Sequence, residues 1–306
     1  MPICEADPWR LQYFEHVKTA ALIPTEDSDA WRWYPRHRWV YDKLQVALSQ
    51  KLDAGPHGTP PPAFPVFSKP IMNLKGMGTG SRVINSSAEY EASYTPGHFW
   101  VTLLSGRHVS SDVAVVNGVP HWWGHVTGTP AGEGTFDHWT VHAEPNAEIE
   151  RRCGAWIGKN LGGYTGMLNL ETIGGVIIEV HLRFSDQWPD LYGAGWVDAV
   201  VRLYEGGVWE FAVPERRGGF SVVLFGPHGV NYRHPPPSLV RDLKRDPGIS
   251  SLQITFHQDL PPERHVMPPG GFRLAVVNGF DLAPALKARE RLRDYFLAQL
   301  RPAPAR

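Results

Sequence analysis

The chain has 306 residues, with 30 Lys and Arg against 31 Asp and Glu, for a formal charge of −1. That balance, with no long block of one sign, argues against a broad nucleic-acid or membrane-surface role. The length allows one large domain or two intimate ones. Cys4 and Cys153 are the two cysteines and form neither a metal spacing nor a disulfide framework. No apolar run is long enough to cross a bilayer, and the first residues lack a basic–apolar signal pattern. A reduced, cytoplasmic setting is the expectation. The 31 glycines and 28 prolines predict short elements and many turns, hence a β-rich body. The 12 tryptophans are scattered rather than periodic. Core packing accounts for most of them, but a sugar-binding surface stays open because sugars stack on indole faces.

In chain order, Asp7-Pro8 reads as an N-cap and first helical residue, starting a short helix through about Val17. A second helix is predicted from about His37 to Leu52, with Val40, Leu44, Ala47 and Leu48 at helical spacing and a Gly/Pro-rich loop over 53–63. Strands dominate the prediction from 64 to 142, with a hairpin at Asn117-Gly118 and a long, glycine-rich loop over 128–139 that fits a surface lid. His121, His125, His138 and His142 cluster in sequence, but their irregular spacing does not promise a zinc site. A helical pattern covers 145–163, Gly174-Gly175 marks another hairpin, and Asp190–Glu205 reads as helix. Residues 208–280 read as strands and turns, with Pro235-Pro236-Pro237 as the clearest boundary-like loop. The last helix runs from about Ala283 to Leu300, with Asp281 as its cap.

Two stretches carry chemistry. In residues 64–83 a short apolar run ends in Lys69, and a loop holding Gly76, Gly78 and Gly80 follows. Glycines let backbone N–H groups approach phosphate oxygens, and a lysine neutralises part of their charge. The Walker pattern is absent, since no Gly-Lys-Ser/Thr closes the loop. In residues 164–184 the return strand of the Gly174-Gly175 hairpin alternates Glu179, His181 and Arg183 with Val180 and Leu182, placing the three polar residues on one face. Glu171 sits across the hairpin. A divalent metal carrying phosphate would satisfy this set, the carboxylates suiting Mg²⁺ or Mn²⁺ and the arginine an anionic oxygen. The solvated face of an antiparallel sheet is the competing explanation.

Taken together, these stretches resemble the ATP-grasp superfamily. Pro65-Val66-Phe67-Ser68-Lys69-Pro70 is similar to its "P-V-V-x-K-P" strand, and Gly76-Met77-Gly78-Thr79-Gly80-Ser81 to its glycine flap. Glu179-Val180-His181-Leu182-Arg183 is similar to its "E-x-N-x-R" strand, and Asp42-Lys43 to its upstream "D-K" motif. Residues 105–119 are similar to its central strand pair. The resemblance covers about residues 36–200 and departs from the pattern in three places. His181 stands where Asn is usual, His108 replaces a Glu, and Phe99–Leu104 lacks the acid that often touches the ribose.

The resemblance implies an α+β fold in which two subdomains with antiparallel sheets clasp a nucleotide, with the preceding N-terminal domain much reduced. The implied division is a short segment 1–35, a lysine-strand and flap subdomain 36–105, and a metal-bearing subdomain 106–306 with a β-rich extension. The implied activity is ATP-dependent, ADP-forming ligation of a small carboxylic acid to an amine or similar nucleophile, with no nucleic acid or membrane as partner. ATP would be held by Lys43, Lys69, Gly76, Met77, Gly78, Thr79, Gly80, Ser81 and Arg82. Mg²⁺ (or Mn²⁺) would be held by Glu171, Glu179 and His181, and Arg183 would orient the acceptor carboxylate. The alternatives are a catalytically silent nucleotide-binding module and a β-rich carbohydrate-binding protein.

Overall fold

The computed structural model describes residues 3–4, 8–74, 78–212 and 217–300; Gly76 and Met77 of the expected flap lie outside the described residues. A short parallel pair, β1 (Ile3–Cys4) and β2 (Ile23–Pro24), precedes helix α1 (Asp27–Trp33). Of the helix expected from Asp7, itself outside the described residues, to Val17, the described part holds only a 3-10 turn, Leu11–Tyr13. The Tyr13 hydroxyl is drawn 2.9 Å from Ser251 Oγ, a tertiary bond that outweighs local helix preference.

The helix expected over His37–Leu52 is split into a 3-10 turn, Arg38–Tyr41, and α2 (Lys43–Ser49). Asp42 causes the break: its backbone is extended, and its carboxylate accepts from Gln45 N at 2.9 Å, capping α2. Strands β3 (Ala54–Pro56), β4 (Val66–Pro70) and β5 (Arg82–Ile84) follow, then α3 (Ser87–Ala92) and β6 (His98–Thr102). The four strands form one antiparallel sheet in the order β3-β6-β4-β5. Helix α3 interrupts a region predicted as strands. Its signal is a capping box: Ser86 Oγ accepts from Glu89 N at 3.2 Å, and Glu89 Oε2 reaches back to Asn85 N at 2.8 Å.

The second sheet begins with β7 (His108–Val116), β8 (Val119–Gly132) and β9 (Thr135–Val141). The stretch 128–139, expected as a lid, is instead the far end of the β8–β9 hairpin. Glu133 and Gly134 turn it with φ of 48° and 78°. Helix α4 (Ala147–Asn160), strands β10 (Gly166–Ile173) and β11 (Val176–His181), and helix α5 (Trp196–Gly206) come next. Strand β12 (Gly219–Gly226), helix α6 (Pro237–Leu243), strands β13 (Ile249–Ile254) and β14 (Phe272–Gly279), and helix α7 (Leu282–Ala298) complete the chain. The eight strands run antiparallel in the order β11-β10-β7-β8-β9-β12-β14-β13. The triple proline does not mark a boundary: Pro237 opens α6, where a missing N–H costs nothing. Asp281 occupies the N-cap position of α7 without a side-chain capping bond.

Strand alternation explains how the sheet is covered. Leu168, Leu170, Val113 and Val180 face α4, whose Ile149, Cys153, Trp156 and Ile157 complete that core. Met167, Ala114 and Val126 face the other way, under Trp196, Val200 and Leu203 of α5. Helix α7 covers β12–β14 through Ala285, Leu292 and Phe296. Trp100, Trp122, Trp156, Trp188 and Trp196 are buried, which leaves these five unavailable as a sugar platform.

Candidate active site

Pairing register puts the charged residues on the α5 side of the large sheet. Glu171 lies directly opposite Glu179 and Ser110, and Asn169 lies opposite His181 and Asp112. The covered half of this face is apolar, but its β11 end abuts α2 and the small sheet. There two lysines from different elements meet one carboxylate. Lys43, the first residue of α2, places Nζ 2.7 Å from Glu179 Oε1. Lys69, on β4 of the small sheet, reaches across to donate to the Ile178 carbonyl at 2.8 Å, with Nζ 3.8 Å from the same Glu179 oxygen. Helix α2 is locked to this edge by Gln50, which donates to Ile177 O at 2.8 Å and accepts from Ile177 N at 2.9 Å. That pairing covers the otherwise open edge of β11.

The electrostatics of the seam follow from this crowding. Burial, helped by the nearby Lys43 charge, pulls the Lys69 amine down to about 8 despite the opposing pull of Glu179 and Glu171. Burial would raise the Glu171 carboxyl. The hydrogen bond and charge of His108 (Nε2 to Oε2, 3.1 Å), with His181 and Lys43, win and hold it down to about 2. Burial likewise opposes the charge on His108, yet Glu171 pushes its ring upward. Each partner therefore favours the charged form of the other.

Behind the carboxylates lies Asp27, in the first turn of α1. Its carboxylate takes His181 Nδ1 at 3.0 and 3.1 Å, Arg183 Nη2 at 2.9 Å and the Tyr41 hydroxyl at 3.1 Å. Burial works against this charge, but Arg183 and His181 hold Asp27 well below the usual carboxylate range. Arg183 also donates to the Phe184 carbonyl at 3.1 Å. Further along the face, Asp112 accepts from Asn169 Nδ2, Ser185 N and Tyr192 Oη, each at 2.8 Å. Burial still pushes its carboxyl up to about 6.

Of the expected site residues, Lys43, Lys69, Glu171, Glu179, His181 and Arg183 therefore stand in one neighbourhood. Gly78, Thr79 and Gly80 are exposed in the connection from β4 to β5, and Ser81 N donates to Gly78 O at 3.2 Å. Gly78 and Gly80 have φ of 62° and 77°, so the loop needs glycine there. Arg82 stands apart: its guanidinium donates to the Ser93 carbonyl and to Thr95 Oγ1 at 3.1 Å. Sequence reasoning missed Asp27, Asn169 and Asp112. Polar Asn169 among the apolar Met167, Leu168 and Leu170, and Asp112 just before the apolar run 113–116, were the available signals for the last two. None pointed to Asp27. His125 belongs elsewhere, bonded to Ser111 Oγ at 2.9 Å and Glu150 Oε1 at 3.1 Å on the α4 side.

Among the described residues, no three His, Cys, Asp or Glu side chains converge as a preformed metal cage. The donor chemistry nevertheless suits a hard cation shared with phosphate. Glu171 and Glu179 are facing carboxylates, and Mg²⁺ commonly takes one or two of these and fills its shell with phosphate oxygens and water.

No family model and no curated protein matches the sequence. Solved structures do match the fold. An L-amino acid ligase from Bacillus licheniformis superposes with a TM-score of 0.62 at 11% identity, over 93% of this chain and 82% of that one. A phosphoribosylamine–glycine ligase from Thermotoga maritima gives 0.57 at 16% identity, over 92% and 84%. The ADP complex of an N5-carboxyaminoimidazole ribonucleotide synthetase gives 0.50 at 15% identity, over 78% and 63%. With its mixed helices and two antiparallel sheets meeting at a lysine-lined seam, the chain has the ATP-grasp fold.

Proposed function

We propose that this protein is an ATP-dependent ligase that activates a small carboxylic acid and passes its acyl group to an amine or similar nucleophile, releasing ADP. The observation that carries the reading is the convergence of Lys43 and Lys69 on Glu179, with Glu171 opposite, where the two sheets meet. Two buried lysines beside two carboxylates at a seam supply the cations and the metal-binding oxygens that a polyphosphate needs. The relatives of matching fold are named as ligases and a synthetase, one of them in complex with ADP, which supports the same reading.

The phosphates lie between Lys69 and Lys43, near the connection that holds Gly78, Thr79 and Gly80. The lobes 36–105 and 106–306 close on the nucleotide. Glu171, Glu179 and His181 would hold Mg²⁺ or Mn²⁺, which would supply charge neutralisation when bound. The substrate carboxylate attacks the γ-phosphorus as the bond to the β–γ bridging oxygen breaks and ADP leaves, and the nucleophile then attacks the acyl carbon of the acyl phosphate, expelling phosphate. The lysines stabilise charge as it develops on the transferred oxygens. Arg183 borders the site with its charge balanced by Asp27, where it orients the acceptor carboxylate; Arg82 contributes only if it leaves Ser93 and Thr95.

The test is ADP release from ATP while paired acids and amines are screened, on wild type and Glu179→Gln. We expect turnover that depends on both substrates and falls about two orders of magnitude in the variant, equivalent to ~3 kcal/mol. ATP binding without ADP formation across the screen would favour the silent nucleotide-binding module instead.

A further inference from the structure

The feature that the ligase reading leaves unexplained is a buried carboxylate behind a histidine. Asp27 belongs to α1, 154 residues before His181, and is only 4% exposed. Nothing about phosphate binding requires an acid there. Its two oxygens lie 3.1 and 3.0 Å from His181 Nδ1, so Nδ1 carries the hydrogen and donates it. Arg183 Nη2 and the Tyr41 hydroxyl bond the same carboxylate, while Leu182 N donates to the Tyr41 hydroxyl at 3.1 Å. Asp27 is thereby fixed on several sides, and the imidazole is fixed with it.

The consequence falls on the other ring nitrogen. With Nδ1 committed to Asp27, Nε2 is the ring nitrogen left to meet a cation. That atom sits 3.7 Å from Glu179 Oε2, beyond hydrogen-bond reach and about the separation of two donors on one ion. A carboxylate that fixes a histidine through one nitrogen so that the other can bind a cation is the usual support for an imidazole ligand. Imidazole favours Mn²⁺ and later metals over Mg²⁺ more than a carboxylate or amide oxygen does.

We propose that Asp27 is a positioning residue that presents His181 Nε2 as a nitrogen donor beside Glu179, biasing the divalent-cation site toward Mn²⁺ over Mg²⁺. The inference rests on the ligase reading, in which Glu171 and Glu179 share a cation with ATP. Without Asp27 the ring is free to turn or change tautomer, and the nitrogen donor is lost even though Glu171 and Glu179 remain.

The experiment uses the full chain with Mn²⁺ or Mg²⁺ and a non-hydrolysable ATP analogue. Pulsed electron paramagnetic resonance of bound Mn²⁺ should show an imidazole nitrogen coupling in wild type that is absent in His181→Asn. By calorimetry, Asp27→Asn should weaken Mn²⁺ binding about tenfold or more while changing Mg²⁺ binding less than about threefold. His181→Asn keeps the Asp27–Arg183 pair and supplies an amide oxygen, so it should narrow the gap between the two cations even if Asp27→Asn does not fold. Wild-type Mn²⁺ bound without nitrogen coupling, or equal loss of both cations in His181→Asn, would overturn the inference while leaving the ligase reading intact. Failure of the analogue to bind with either cation would overturn both.

Discussion

Burial holds the Lys69 amine near the edge of ionisation, and that position has a consequence for ligand binding. A phosphate placed beside it would raise its pKa from about 8. Around pH 8 and above, part of the population must therefore take up a proton on binding ATP. Near pH 7 the amine is mostly charged already, and uptake is small. Affinity should accordingly fall as pH rises above about 8, by up to about tenfold per unit. Calorimetry in two buffers of different ionisation enthalpy would show proton uptake at pH 8.5 that fades by pH 7. Identical apparent enthalpies in both buffers at both pH values would contradict this account of Lys69. The Glu171–His108 pair behaves in the opposite sense: each partner stabilises the other's charge, so that carboxylate stays ionised across the same range.

Helix α2 shows how an element supplies precision to a residue. Lys43 can meet Glu179 only because Asp42 ends the preceding turn and caps the helix, and because Gln50 pins the far end to β11. Asp42→Ala should lower stability by about 1 kcal/mol, read from the denaturant midpoint, and should also weaken ATP binding by misplacing Lys43. An unchanged midpoint would mean that the cap is not what holds the helix start. The "D-K" pair was legible in the sequence, whereas its capping role appeared only once the long expected helix proved to be two pieces. Elements were readable where local signals were strong, as at the Asn117-Gly118 and Gly174-Gly175 hairpins. They were misread where tertiary contacts decided the outcome. Tyr13 is drawn into a tight turn by Ser251, and the glycines of 128–134 serve an extended hairpin rather than a lid. The Ser86-x-x-Glu89 pattern that starts α3 is a local signal within a stretch otherwise rich in strand formers.

At the scale of the whole molecule, the fold places a four-stranded sheet carrying one lysine against the β11 edge of an eight-stranded sheet carrying the carboxylates. The order of the lysine strand, flap, central strands and acidic hairpin was visible because each motif is local. The partner that fixes His181 was not visible, because Asp27 reaches it only through the packing of α1 beneath the β11 end. Sequence spacing carries no information about such a contact. The most direct test of the central claim is therefore ATP affinity by calorimetry, with and without Mg²⁺, on wild type and Lys69→Ala. Binding should depend on the metal and weaken by about two orders of magnitude in the variant, the scale of losing one buried charge contact. Absence of binding at millimolar ATP, or equal affinity in both proteins, would contradict that claim.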